Sequence, residues 1–204
     1  MPKLYLIRHG QTDYNLRGIV QGGGIDSDLN ETGRTQGKRF FERYQDVGFD
    51  RIYCSSLKRT RQTLQHFEFA GHTVYPKTGL DELSWGAIEG MERDQEVSDE
   101  FERVLNSWNA GALDVKMDGG ESPNEVWARA KVSLEEIVNE VGVGGTALIC
   151  THGRTMRIIL SQMMGYGMHQ MRLFPHYNTT LNVLSRQPNG RWLAERLNDL
   201  SHLQ

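Results

Sequence analysis

The chain has 204 residues, a formal charge of −3 and an apolar fraction of 38%. That length suits one domain, or one domain with elaborations, and the composition is that of a globular chain rather than a disordered one. A pI near 6.2 offers no overall draw toward nucleic acid or anionic lipid. No window approaches the roughly 18 consecutive apolar residues a membrane span needs. The apolar run Leu4–Ile7 meets Arg8 at once and is too short for a signal-peptide core. Cys54 and Cys150 both lie in apolar, strand-like runs, where free thiols behave as small hydrophobes. A reducing cytoplasm is the expected setting.

In chain order, Lys3–Arg8 reads as a short strand that stops at His9-Gly10. Asn30 is placed to cap a helix carrying Phe40, Phe41, Tyr44 and Val47 at apolar spacing. Asp50–Cys54 reads as a second strand, and Ser55-Ser56 as the cap of a helix from Leu57 to about Phe67. The spacing of Val97, Phe101, Val104, Leu105 and Trp108 predicts a helix over Glu92–Trp108. Ser122-Pro123-Asn124-Glu125 combines a capping box with proline at the first helical position, ahead of an apolar stripe ending at Val141. Thr146–Cys150 then reads as a buried strand, and Thr180–Ser185 with Arg191–Leu197 as a late hairpin around Pro188-Asn189-Gly190. Strands alternating with helices predict an α/β sheet covered on both faces, with ligands at the carboxyl ends of its strands. With no repeat or linker, residues 1–204 are expected to form a single domain.

Two histidines, His9 and His152, each close a strand and are each followed by glycine. Arg8 beside His9 supplies a permanent cation with a bidentate fork. Arg59 falls in the first turn of a helix, where unpaired N–H groups already favour anions; Lys58 and Arg61 read equally well as a solvated basic face. His152-Gly153 opens another helix aimed at the same edge. The Gly-punctuated segment Asp81–Gly90 offers Glu82 and Glu89 as candidate proton donors. Together these residues describe a phosphoryl pocket, in which an imidazole attacks in line and a carboxylic acid protonates the leaving oxygen. There is no GxxxxGK[ST] cradle, no HExxH and no paired-cysteine spacing, and Arg8 would repel a dication. No metal and no cofactor are expected.

The motifs, taken together, resemble the histidine phosphatase superfamily in its phosphoglycerate-mutase-like branch, over Leu4 to about Leu184. The resemblance is carried by Arg8-His9-Gly10-Gln11-Thr12 with Asn15, Gly18–Gly22, Leu29–Gly33, Ser56–Thr63, Gly120-Glu121-Ser122 and Thr151-His152-Gly153 with Arg157. It implies an α/β/α sandwich around a mostly parallel central sheet, with a helical and loop insertion at about residues 85–120 over the active site. It implies His9 as phosphorylated nucleophile, Arg8, Arg59 and His152 on the phosphoryl oxygens, Asn15 and Gly153 as further phosphate-binding positions, and Gln21 against substrate. Glu82 falls at the proton-donor position and Glu89 is read as structural. The third glycine in Gly22–Gly24 and Asp28 in place of proline depart from the pattern and touch the substrate loop. Asn178-Thr179-Thr180-Leu181 resembles the phosphatase members rather than the cofactor-dependent mutases. The expected activity is hydrolysis of a small phosphorylated metabolite, with mutase activity and non-catalytic phospholigand binding as alternatives. The late hairpin offers an edge strand for pairing two copies.

Overall fold

The computed structural model describes residues 1–92 and 94–204. Arg93, inside the helix predicted over Glu92–Trp108, lies outside the described residues. The strands are β1 (Lys3–Arg8), β2 (Arg51–Cys54), β3 (Val74–Pro76), β4 (Thr146–Thr151), β5 (Leu181–Arg186) and β6 (Trp192–Asp199). The helices are α1 (Asp13–Arg17), α2 (Glu31–Tyr44), α3 (Lys58–Thr63), α4 (Gln65–Phe69), α5 (Gln95–Asn109), α6 (Pro123–Val141) and α7 (Gly153–Met163). All six strands form one sheet in the order β3-β2-β4-β1-β5-β6. The first four run parallel, while β5 and β6 are antiparallel additions at one side.

Alternation along the strands builds a core on each face of this sheet. Leu4, Leu6, Tyr53, Ala147, Ile149 and Leu184 pack against α6 and α7. Ile7, Ile52, Cys54, Leu148, Cys150, Leu181 and Val183 face the other way, onto Phe40, Tyr44, Leu64 and Phe67. Both cysteines are free and buried there. A third cluster joins Trp85, Phe101 and Trp108 to Val126 and Ile158, and so fixes α5 above the carboxyl ends of the strands. Among the described residues no helix is long and apolar enough to cross a membrane.

The predicted caps at Asn30 and Ser122 are present: Asn30 accepts from Gly33 N, and Ser122 and Glu125 exchange bonds in a capping box. The predicted helix over Leu57–Phe67 is not continuous. It divides into α3 and α4 at Leu64, and its start carries no side-chain cap. Ser56 turns instead to Asp81, whose carboxylate accepts from its N and its Oγ at 2.7 Å each. The α5 helix is capped by Asp94, which accepts from Val97 N at 2.9 Å.

Candidate active site

Because β1 and β4 are parallel neighbours with Arg8 opposite Thr151, the residues after them leave the sheet side by side. The rings of His9 and His152 lie 5.1 Å apart between centroids. His9, His152 and Arg59 are all buried.

Hydrogen bonds fix both tautomers. His9 Nδ1 donates to the Gly10 carbonyl at 2.7 Å, so the proton sits there and Nε2 keeps its lone pair. Arg59 Nε donates to His152 Nδ1 at 3.1 Å, which places the second ring's proton on Nε2. That proton goes to Ser55 Oγ at 2.7 Å, Ser55 donates to Thr60 Oγ1 at 3.0 Å, and Thr60 to the Leu57 carbonyl at 2.8 Å. Burial, then the charges of Arg59 and Arg8, push the His9 pKa well below its ordinary value. Burial and Arg59 do the same to His152. Both imidazoles are therefore neutral at neutral pH. Burial also lowers Arg8 to about 10, against the opposing pull of Glu82. Arg8 stays a cation. Its Nη1 donates to the His176 carbonyl, while its Nε is buried without a partner among the described residues.

Arg59 also holds the loop ahead of α2, through Nη1 to the Ile25 carbonyl at 2.5 Å and Nη2 to the Gly22 carbonyl at 3.2 Å. The glycines of this loop have a physical reason here. A Cβ on Gly22 would stand 2.1 Å from Glu89 Oε1, and one on Gly24 2.7 Å from Glu89 Oε2. Glu89 Oε1 further accepts from Trp85 N at 2.7 Å and Ser84 Oγ at 3.1 Å, so this carboxylate is the floor on which the loop lies.

Glu82 is buried and sits at the start of α7. Its Oε1 accepts from Thr155 N and from its own Leu83 N, both at 3.0 Å, whereas Oε2 accepts from Arg154 N at 3.1 Å. Gly153 leads the same helix with an N–H that Glu82 does not use. Asn15 closes a capping box with Thr12, and its Oδ1 also accepts from Asn178 at 3.0 Å, leaving its amide hydrogens as donors. Gln21 is tied at both ends of its carboxamide, accepting from Thr12 Oγ1 at 2.9 Å and donating to Ser27 Oγ. Arg8, His9, Arg59, Glu82, His152 and Gly153 thus converge. Gln21 acts in this structure as a strut of the loop.

Sequence reasoning gave no site role to Arg154, which follows His152-Gly153 on α7, or to His176, and read Asn178 and Thr179 only as a mark of the phosphatase members. For the last three the signal is β5 pairing antiparallel to β1, with Leu181 opposite Ile7, which brings the residues ahead of β5 to the site edge. Asn178 Nδ2 donates to the His9 carbonyl at 3.1 Å, and Thr179 N donates to the Arg8 and His9 carbonyls.

A family model for the histidine phosphatase superfamily (branch 1) matches residues 4–200. The chain belongs to that superfamily. A broad-specificity phosphatase of Saccharomyces cerevisiae is 31% identical, covering 98% of this chain and 87% of the relative. A probable phosphoglycerate mutase, GpmB, of Photorhabdus laumondii is 29% identical, covering 100% and 95%. Among solved structures, a mycobacterial glucosyl-3-phosphoglycerate phosphatase in complex with VO3 superposes with a TM-score of 0.83 at 25% identity, covering 96% and 98%. As a histidine phosphatase, this chain is a hydrolytic enzyme on phosphomonoesters whose chemistry passes through a phosphohistidine.

Proposed function

We propose that His9 is the phosphorylated residue and that Glu82 serves as acid and then as base. The observation that carries this reading is a buried His9 whose Nδ1 proton goes to Gly10, leaving Nε2 unprotonated beside the charges of Arg59 and Arg8. Arg8 and Arg59, with Asn15 and the Gly153 N–H, hold the non-bridging oxygens, while His152, whose one ring proton goes to Ser55, positions Arg59 rather than donating to phosphate. Nε2 attacks phosphorus in line, the bond to the leaving oxygen breaks, and Glu82 passes its proton to that oxygen. A water then gives its proton to the Glu82 carboxylate and attacks the phosphohistidine. The N–P bond breaks, inorganic phosphate leaves, and Glu82 is again protonated. Oε2, with its single acceptor bond, is the oxygen freer to carry the proton. Glu89, committed beneath the glycine loop, is a structural acid, and Gln21 reaches substrate through the loop it braces.

The substrate is a small phosphorylated metabolite of the cytoplasm, taken without nucleic acid or membrane. Residues 1–204 act as one domain with the segment at about 85–120 over the pocket. Edge strand β6, with Leu193 and Leu197 exposed, pairs two copies. Rapid quench into alkaline detergent after labelled p-nitrophenyl phosphate tests the chemistry, since an N–P bond survives alkali and not acid: label stays on the wild-type protein and is absent from His9→Gln. Glu82→Gln is expected to slow alkyl phosphates about 100-fold more than p-nitrophenyl phosphate, whose leaving group barely needs a proton. Equal losses would move the acid role to another carboxyl. Interconversion of 2- and 3-phosphoglycerate without phosphate release would instead establish a mutase.

A further inference from the structure

Thr179 is a β-branched residue with φ of +54°, in the left-handed region where such a side chain crowds its own backbone. It is the third residue of a tight turn closed by Thr180 N, which donates to the Tyr177 carbonyl at 3.1 Å. Where φ is positive, glycine or asparagine ordinarily takes that position. The turn holds the backbone that carries His9. Thr179 N donates to the Arg8 carbonyl at 3.1 Å and the His9 carbonyl at 3.3 Å, Asn178 Nδ2 donates to the His9 carbonyl at 3.1 Å, and Arg8 N donates to the Thr180 carbonyl at 3.2 Å. On the other side, His9 N donates to the Thr151 carbonyl of β4 at 3.0 Å. The direction in which the His9 ring leaves β1 is therefore set by β4 and by residues 178–180 together.

Thr179 is itself held from a distant part of the chain. Its side chain is buried, and its Oγ1 lies 3.0 Å from His202 Nε2. His202 belongs to the 3-10 turn Ser201–Leu203, and its ring lies 5.3 Å from that of Phe40 and 6.1 Å from that of Tyr44 on α2. The turn is pinned beside this ring as well: Arg39 Nη1 donates to the Leu203 carbonyl at 2.7 Å, and Thr180 Oγ1 donates to Asn198 Oδ1 at 2.9 Å. We infer that His202 is a positioning residue for the nucleophile: through Thr179 Oγ1 it holds the strained turn that sets the backbone of Arg8 and His9. The inference rests on the reading of His9 as the phosphorylated residue. A glycine at position 179 would take this conformation unaided, having no Cβ to crowd the carbonyls. Threonine needs a holder, and the holder lies 23 positions further along. Strain of this kind persists where the surroundings over-determine it, and here the surroundings are the packing of Ser201–Leu203 on α2. The approach of His9 Nε2 to phosphorus is thus conditional on that turn being docked.

The test reads one substitution in two backgrounds. His202→Phe keeps an aromatic ring beside Phe40 and Tyr44 and removes the hydrogen bond to Thr179. It is expected to lower kcat for p-nitrophenyl phosphate about tenfold, as a small misplacement of an attacking atom does, with KM within about twofold because Arg59 and the Gly153 N–H do not hang from this turn. Thr179→Val removes the same bond from its other end, is expected to match that loss, and supplies the readout if His202→Phe fails to fold. In Thr179→Gly the left-handed turn needs no holder, so adding His202→Phe is expected to change kcat by less than about twofold from the level Thr179→Gly sets alone. A purely structural His202 would cost activity equally in both backgrounds. Wild-type kcat in a folded His202→Phe or in Thr179→Val, or equal losses in the two backgrounds, would overturn the positioning role while label trapped on His9 keeps the nucleophile. No label on His9 in the wild-type protein would overturn both.

Discussion

Ser55 shows how much a single hydroxyl can organise. Its Oγ accepts the His152 proton at 2.7 Å and thereby keeps Nδ1 facing Arg59 as an acceptor. Ser55→Ala leaves a buried N–H without a partner, at a cost of roughly 1–3 kcal/mol, and frees the ring to take the other tautomer. The expected result is a kcat about tenfold lower with a smaller change in KM, together with a changed 15N tautomer signature for His152. An unchanged signature with normal kcat would remove Ser55 from the relay. Arg8, His9, Arg59 and His152 were legible in the sequence because each sits in a short motif whose neighbours serve the same end. Ser55 was legible only as a helix cap, since Ser-Ser before an apolar residue is the usual capping pattern. The residue that claims its hydroxyl lies 97 positions away, and no local pattern encodes that.

The substrate loop and the segment carrying Glu82 and Glu89 work as one assembly. Gly22 and Gly24 lie against the Glu89 carboxylate, and Gly23 against the Glu82 carbonyl, because they have no side chains, so the extra glycine that departs from the family pattern is a packing requirement. Gly22→Ala would set a methyl 2.1 Å from Glu89 Oε1. The variant is expected to lose about 1–3 kcal/mol of stability in urea titration and to raise KM by displacing the loop that Arg59 holds. Wild-type stability and KM in Gly22→Ala would show that the loop shifts freely. The strands other than the three-residue β3, and the strong caps, could be read from the sequence because apolar runs, Asn30 and the Ser122 box are local signals. The division of Leu57–Phe67 into α3 and α4 could not, since apolar spacing there continues through Leu64 into Phe67, and both side chains are buried on either side of the break. The late antiparallel strands were legible as a hairpin. Their attachment to β1, which carries Asn178 and Thr179 to His9, is tertiary information.

Across the molecule, the histidines tie stability to pH in one direction. His9 and His152 are held neutral by burial and neighbouring arginines, and His176 and His202 lie at about 3 and about 4. His202 belongs to the turn Ser201–Leu203 that packs against Phe40 and bonds Thr179 at 3.0 Å, and its Nδ1 is buried without a partner among the described residues. In the unfolded chain each ring takes up a proton near pH 6.5. Folded pKa values below unfolded ones mean that the unfolded state binds more protons below pH 6.5, so stability present above that pH is lost as pH falls. The slope is at most about 1.4 kcal/mol per pH unit for each buried ring, and less for the half-exposed His176. Urea midpoints measured from pH 7 to pH 5 are expected to fall steadily, with His202→Gln flattening the slope by about one proton. Inorganic phosphate is expected to recover part of the loss, since it binds the guanidinium groups of the folded site and not the unfolded chain. A midpoint that holds constant down to pH 5 would mean that these rings are charged in the fold, and a charged His9 has no lone pair with which to attack.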